Sequence, residues 1–196
     1  MAWPDQGLAF DTAVHFGSLL AVIIFFWHEL RRLFIAGIHQ LSGNPSEDGR
    51  YALNLLIASL PIIPIGFCMR FLTENEFRSL HAIAATTILF GLALWYADRL
   101  KLSKTTSLTP GRALIIGIAQ CLALIPGTSR SGITITAALL MGFSRTDAAR
   151  ISFIISIPAI LGAATLKFLD LVSQSVSANW LLLSMSTIVS GISAYL

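Results

Sequence analysis

Charged residues are scarce in this sequence of 196 residues: Asp, Glu, Lys and Arg together make up 12% of it. Soluble domains carry about 25% charged residues, so this composition excludes a soluble globular enzyme, a disordered chain and a nucleic-acid-binding module. Hydrophobic residues make up 55% of the chain, and the mean hydropathy is +0.77. The sequence therefore predicts a polytopic membrane protein whose partner is the bilayer, with no nucleic-acid partner.

Cysteine is almost absent as well. Cys68 and Cys121 are the two cysteines, and both lie in apolar stretches. Two such thiols indicate neither a disulfide framework nor a cysteine-rich metal cluster. There is also no strand pattern followed by a Gly-rich nucleotide fingerprint. These absences exclude a disulfide-stabilised secreted domain and a nucleotide-binding enzyme.

Long apolar runs, in contrast, are abundant. A helix needs about 20 apolar residues to span the ~30 Å hydrocarbon layer of a bilayer. Five segments approach that length: 12–29, 52–70, 79–97, 151–169 and 180–196. We therefore predict an all-α fold with about five spanning helices, forming one integral-membrane domain over residues 1–196. Two prolines, Pro61 and Pro64, predict a kink in the second segment.

The region 112–143 has a different pattern. Two apolar runs, 113–125 and 133–143, flank the polar sequence PGTSRSG at 126–132. At 1.5 Å per residue each run reaches only about 17–20 Å, too short to cross. We therefore predict a re-entrant helix hairpin over residues 112–143, although only the arm lengths argue against two full spans. Non-helical backbone at that depth must be buried in protein or line a wet cavity.

The basic residues are distributed unevenly among the loops. Nine of the 13 Lys and Arg residues lie in segments 30–51, 98–112 and 144–150. Three others lie in segments of the opposite side, and Arg130 lies within the hairpin. By the positive-inside rule, the three basic segments face the cytoplasm.

The PGTSRSG sequence carries the sharpest functional signal. An arginine at membrane depth is costly and therefore marks a functional site with a partner, and Arg130 is followed by the start of a helix. Free backbone N–H groups at a helix start, together with a guanidinium and hydroxyl donors, form a site suited to phosphate. The hydroxyl donors are Thr128, Ser129, Ser131, Thr134 and Thr136. The alternative is that Arg130 makes a structural ion pair while the hydroxyls cap helices.

The motif also carries a resemblance to a known family. The sequence QCLALIPGTSRSGITITAALLMGFSR, from Gln120 onward, resembles the second signature of the bacitracin-resistance family of undecaprenyl-diphosphate phosphatases. The segment FDTAVHFGSLLAVIIFFWHEL at 10–30 is similar to the same family, and the resemblance covers essentially the whole chain.

The resemblance implies an activity and a setting. It implies hydrolysis of undecaprenyl diphosphate, a polyprenyl diphosphate lipid, to undecaprenyl phosphate and phosphate in the bacterial plasma membrane. This reaction recycles the lipid carrier for peptidoglycan synthesis and confers bacitracin resistance. The resemblance further implies inverted repeats that each contain a re-entrant helix pair and a divalent cation such as Mg²⁺ or Ca²⁺. It is compatible with a homodimer.

The resemblance also assigns roles within the motif. Arg130 is expected to bind the diphosphate and, with Ser129, to form the catalytic pair. The expected substrate-binding residues are Gly127, Thr128, Ser131, Gly132 and Thr134.

One family feature is not matched. Family members carry a first signature of two glutamates four residues apart, followed by Pro-Val-Ser-Ser-Thr-Gly-His, and residues 1–11 do not resemble it. We therefore expect the chain to be part of a longer protein, and no metal ligands can be identified in it. Asp11 and His15, which share a helix face, and Gln120 are candidate accessory residues. Two alternatives follow: a lipid-phosphate flippase or transporter, which also uses broken helices, or an inactive fragment.

Overall fold

The computed structural model of the protein describes residues 7–72, 80–100, 107–173 and 180–196. Within these ranges all regular secondary structure is helical, which confirms the all-α prediction. The elements are α1 Gly7–Phe25, α2 Trp27–Leu41, α3 Glu47–Ser59, α4 Ile62–Leu72, α5 Leu80–Arg99, α6 Pro110–Cys121, a 3₁₀ turn Leu122–Leu124, α7 Arg130–Leu140, α8 Arg145–Ser173 and α9 Trp180–Tyr195.

Local capping explains where two of these helices begin. The Ser46 hydroxyl accepts the Gly49 N–H at 3.0 Å and so caps α3, whose first turn carries two acidic residues that favour the positive end of the helix dipole. Thr109 caps α6, and Pro110 follows at the first helical position, where its missing N–H is not needed. The buried Asn54 amide of α3 donates to Leu108 O at 2.6 Å. This bond ties the entry to α6 onto α3.

Several helices are long and apolar enough to cross a membrane. In the described residues these are Glu47–Cys68, Leu80–Arg99 and Arg145–Thr165, and a fourth is obtained if α1 and α2, which bend at Phe26, are counted as one span. The predicted segment 180–196 forms α9, a shorter apolar helix of 16 residues. The protein is thus a multi-pass membrane protein, with three or four such spans in its described part. The count of about five for the whole chain stays a prediction.

The kink predicted from the prolines lies within the first of these spans. α3 ends at Ser59 and α4 begins at Ile62. Pro61, between them, has no N–H to donate to the helical ladder, so the helix is interrupted at this point.

Chain contacts divide the molecule into two compact units, residues 31–156 and residues 1–30 with 157–196. In the first unit α6 packs against α3, α4 and α7, and α5 packs against α7. A Cβ added at Gly117 would lie 2.5 Å from Ala58 O. The backbones of α3 and α6 therefore approach closely, as small residues allow in membrane helix pairs.

The second unit is organised by the pair α1 and α9. Gly17 of α1 lies so close to α9 that an added Cβ would collide with Thr187 O. The Ser190 hydroxyl donates to Val14 O at 2.6 Å and lies 2.9 Å from the Ser18 hydroxyl. Small and hydroxyl-bearing residues thus let these two helices pack tightly without a large apolar interface.

Candidate functional site

The PGTSRSG sequence joins two short helices that contact each other, α6 and α7. α6 has 12 residues and α7 has 11, which correspond to about 18 Å and 17 Å of helix. Both are well short of the ~30 Å hydrocarbon layer. The structure therefore contains the two short helices of the predicted hairpin, over 110–140 rather than 112–143. Their re-entry into a membrane stays a prediction.

The connection between the arms begins with a tight turn. The Thr128 N–H donates to Ile125 O at 3.1 Å, and Gly127 has φ +88°. With Pro126 and Gly127 at its centre, this is a type II turn, whose third residue needs a positive φ. A Cβ at Gly127 would also collide with the Thr86 hydroxyl and lie 2.5 Å from Ile83 O. Glycine is therefore needed at position 127 for two reasons: the backbone has a positive φ, and there is no space for a Cβ.

Two hydroxyls of α5 hold this turn. Thr86 Oγ1 donates to Pro126 O at 2.7 Å, and Thr87 Oγ1 donates to Gly127 O at 2.9 Å. Sequence reasoning missed both residues because they lie in a run that is apolar overall, 40 residues before their acceptors. The adjacent threonines in that run are a weak signal, since threonine hydroxyls commonly bond their own helix.

The start of α7 presents backbone donors. Ser129 is the N-cap: its hydroxyl accepts the Gly132 N–H at 3.1 Å, and its carbonyl accepts the Ile133 N–H at 2.9 Å. Within the described ranges, no acceptor is found for the N–H groups of Arg130 and Ser131. Two unpaired donors at the positive end of a helix dipole favour a bound anion.

Arg130 is the first residue of α7 and is half-buried. Among the residues that the structure describes, its guanidinium makes no hydrogen bond or ion pair, so the structural ion pair considered above is not found there. A half-buried guanidinium beside free N–H groups has its charge and its forked donors available for an oxyanion such as phosphate. Ser129 and Ser131 add hydroxyls, 3.4 Å apart, at the same helix end.

Thr134 has a different place from the other hydroxyls of the motif. Its side chain is 1% exposed, and its hydroxyl lies 2.9 Å from Arg130 O and 2.7 Å from the Ser152 hydroxyl of α8. This geometry supports a role in holding the first turn of α7 against α8, and direct contact with a substrate stays a prediction. Sequence reasoning missed Ser152, which is also buried, because its partners are distant in the chain.

Comparison with known proteins identifies the family. The family model described as bacitracin resistance protein BacA matches residues 1–196. The chain belongs to this family. Two curated relatives, both named undecaprenyl-diphosphatase and found in Chromohalobacter salexigens and Alteromonas mediterranea, are each 47% identical to it over 199 residues. Each alignment covers 100% of this chain and 75% of the relative.

Gln120 is a buried polar residue in this BacA-family chain. It lies in the last turn of α6 and is 0% exposed, yet neither its amide nitrogen nor its amide oxygen has a hydrogen-bond partner within the described ranges. The buried Thr128 hydroxyl of the loop is also without one there. Since buried polar groups are nearly always hydrogen-bonded, the Gln120 amide is available to an internal water or a ligand.

The other accessory candidates belong to the second compact unit. Asp11 and His15 both lie in α1; the Asp11 side chain is outside the described residues, and His15 is exposed. The structure thus brings the residues of 127–134 together at one helix end, with Gln120 on the preceding helix. It does not test the accessory role of Asp11 and His15.

The divalent cation implied by the resemblance is not matched by donors in the described residues. No group of three or more His, Cys, Asp or Glu side chains that could hold a metal ion is found among them. Ligands for a cation would have to come from other residues.

Two cavities are found in the described part of the chain. One of about 580 Å³ is lined by residues of α1 and α9, including Ser18 and Ser190. Another of about 470 Å³ is lined by residues around the start of α3, including Arg32 and Asp48. Neither lining includes a residue of 126–132. The donors at the start of α7 are therefore not part of either lining.

Proposed function

We propose that the protein is an undecaprenyl-diphosphate phosphatase of the bacterial plasma membrane. It hydrolyses undecaprenyl diphosphate to undecaprenyl phosphate and phosphate, and so recycles the lipid carrier for peptidoglycan synthesis and confers bacitracin resistance. The observation that carries the proposal is the Arg130 guanidinium beside unpaired N–H groups at the start of α7, in a chain of the BacA family. The relatives carry the name of a hydrolase, which favours hydrolysis over the transport alternative.

The proposed chemistry follows from the donors at this helix end. Arg130 pairs with phosphate oxygens, and the N–H groups of Arg130 and Ser131 add two further donors. The Ser129 oxygen accepts the Gly132 N–H, and its hydroxyl hydrogen can turn from the Ser131 hydroxyl, 3.4 Å away, to donate to the phosphate. These fixed donors stabilise the negative charge that grows as water adds to the terminal phosphorus and the bridging P–O bond breaks.

Gly132 keeps these donors close together. An added Cβ at this position would lie 3.1 Å from Ser129 Cβ and 3.2 Å from Ser129 Oγ. A Cβ there would require Ser129 to shift by a few tenths of an ångström. Gly127 and Thr128 act earlier in the loop, where they shape the turn that delivers Ser129 and Arg130.

The proposal includes a divalent cation, Mg²⁺ or Ca²⁺, and a homodimer. We expect chelation by EDTA to abolish phosphate release and either ion to restore it when added back. The measurement is phosphate release from the purified protein before and after dialysis. Unchanged activity in EDTA would remove the cation from the proposal. Sedimentation in detergent tests the dimer separately.

The assignment of Arg130 is tested by substitution in the protein expressed from its complete gene. We expect Arg130→Ala to lower kcat/KM for farnesyl or undecaprenyl diphosphate by about 10²–10³-fold, the usual loss for one charge-stabilising donor. Arg130→Lys keeps the charge but loses the forked geometry, so an intermediate loss is expected. Arg31→Ala, at an exposed position of α2, is the matched control and should leave the rate unchanged. Equal rates for Arg130→Ala and the wild type would overturn the assignment.

A further inference from the structure

The turn before Ser129 is held by a helix that contributes no residue to the motif. We propose that Thr86 and Thr87 of α5 are positioning residues of the phosphatase site: their hydroxyls fix the two central carbonyls of the turn and thereby set where Ser129 and Arg130 lie. This inference rests on the proposed function. Neither threonine touches the reacting atoms in this scheme.

The geometry of the two bonds fixes the orientation of consecutive peptide groups. A peptide unit is planar, and its C=O and N–H point in opposite directions. Since Pro126 O and Gly127 O both face α5 hydroxyls, the N–H groups of Gly127 and Thr128 are directed away from α5. The Thr128 N–H then closes the turn onto Ile125 O. The turn is therefore held both by its own hydrogen bond and by the two hydrogen bonds from α5.

The two hydroxyls are not equivalent. Thr86 Oγ1 lies 2.7 Å from Pro126 O and 3.0 Å from two carbonyls of its own helix, so its single hydrogen favours the turn. Thr87 Oγ1 is 2.8 Å from Ile83 O and 2.9 Å from Gly127 O, so its hydrogen is shared between helix and turn. Thr86 is half-buried, while Thr87 is exposed. Thr86 should therefore carry the larger share of the effect.

The distance along the chain to the site is short. The turn ends at Thr128, and the next two residues are the capping Ser129 and Arg130. A second contact comes from α8, where Ser152 holds the first turn of α7 through Thr134. Loss of the α5 contacts would remove one of the two contacts that hold this segment in place. A misplacement of about 1 Å at a reacting group can cost as much as 10²-fold in rate.

The test uses isosteric substitutions in the full-length protein. We expect Thr86→Val, which keeps the shape and removes the hydroxyl, to lower kcat/KM about tenfold, mostly through kcat, because the loss is in transition-state positioning. Thr87→Val should have a smaller effect. Thr86→Ser, which keeps the hydroxyl, should restore most of the rate. Thr165→Val is the matched control, since the Thr165 hydroxyl bonds Leu161 O in its own helix.

A second readout does not depend on activity. Hydrogen exchange of the peptide covering residues 125–132 should be faster in Thr86→Val than in the wild type, and unchanged in Thr86→Ser and Thr165→Val. If the wild-type protein releases no phosphate, the proposed function fails, and the exchange data still decide the positioning role. Wild-type kcat/KM and wild-type exchange in Thr86→Val would overturn the inference. So would an equal loss in Thr86→Ser, which would assign the effect to packing of the threonine methyl.

Discussion

At the scale of single residues, Gly127 and Gly43 share a backbone conformation but have different surroundings. Both have φ +88°. An added Cβ at Gly43 would meet nothing within 4 Å, whereas at Gly127 it would collide with Thr86 and crowd Ile83. The pair therefore separates the cost of a positive φ from the cost of losing the α5 contact.

We expect Gly43→Ala to destabilise the protein by about 1–2 kcal/mol, the cost of the left-handed conformation for a residue with a Cβ, and to leave phosphate release unchanged. Gly127→Ala should lower stability further and reduce activity strongly, because the turn must move away from α5. Thermal inactivation and phosphate release measure the two effects. Equal behaviour of the two variants would show that the α5 contact is unimportant.

Gln120 gives a second prediction at this scale. Replacing a buried polar group that lacks a partner by an apolar one of similar shape is neutral or stabilising. We therefore expect Gln120→Leu to keep or raise the thermal midpoint in detergent. Gln40→Leu is the contrast, because the Gln40 side chain accepts the Ser46 N–H at 3.0 Å, and its loss should lower the midpoint. A lower midpoint in Gln120→Leu would contradict this prediction and show that the amide has a stabilising partner.

The sequence revealed the residues of the site whose signals are local. Pro126 and Gly127 are typical turn residues, and a serine before a helix is typical of a cap. Thr86, Thr87 and Ser152 could not be found in the same way. Their partners lie 40 and 18 residues away, and only the packing of α5 and α8 against α7 creates the contacts.

At the scale of helices, hydropathy and proline positions predicted most of the observed architecture. The two short helices α6 and α7 and the interruption at Pro61 follow from run length and from the missing proline N–H. The break between α1 and α2 at Phe26 does not, because hydropathy has no signal for a bend. Such a bend depends on neighbouring helices that a linear pattern does not contain.

The contact between α1 and α9 gives a prediction at this scale. We expect Gly17→Ala to destabilise the unit formed by these helices, because the added methyl collides with the backbone of α9 at Thr187. Gly91→Ala in α5 is the control: nothing lies within 4 Å of its added Cβ, and alanine stabilises a helix interior by about 1 kcal/mol relative to glycine. Opposite shifts in thermal midpoint are expected, and a neutral Gly17→Ala would refute the tight packing.

At the scale of the whole molecule, a long-range ion pair agrees with a shared side for two of the basic segments. Arg145, at the start of α8, donates to Asp98, near the end of α5, with Nη2 and Oδ2 2.7 Å apart. Two of the three segments predicted to face the cytoplasm are thus in contact. The Asn54 bond to Leu108 links α3 to the segment before α6 in the same way.

This arrangement predicts the accessibility of introduced thiols. In a background where Cys68 and Cys121 are replaced by alanine, Ser42→Cys and Thr146→Cys occupy exposed positions in two basic segments. We expect a membrane-impermeant maleimide to label both in inside-out vesicles and neither in intact spheroplasts. Labelling of one position from each side would contradict the shared orientation.

The α5 attachment of the turn has a consequence for engineering. Because the shape of PGTSRSG depends on hydroxyls that lie 40 residues away, the heptapeptide alone would not keep this shape in another protein. Transplanted into an unrelated helical hairpin, it would bring its arginine and serines but not the scaffold that orients them. A working graft would have to carry the companion helix with it.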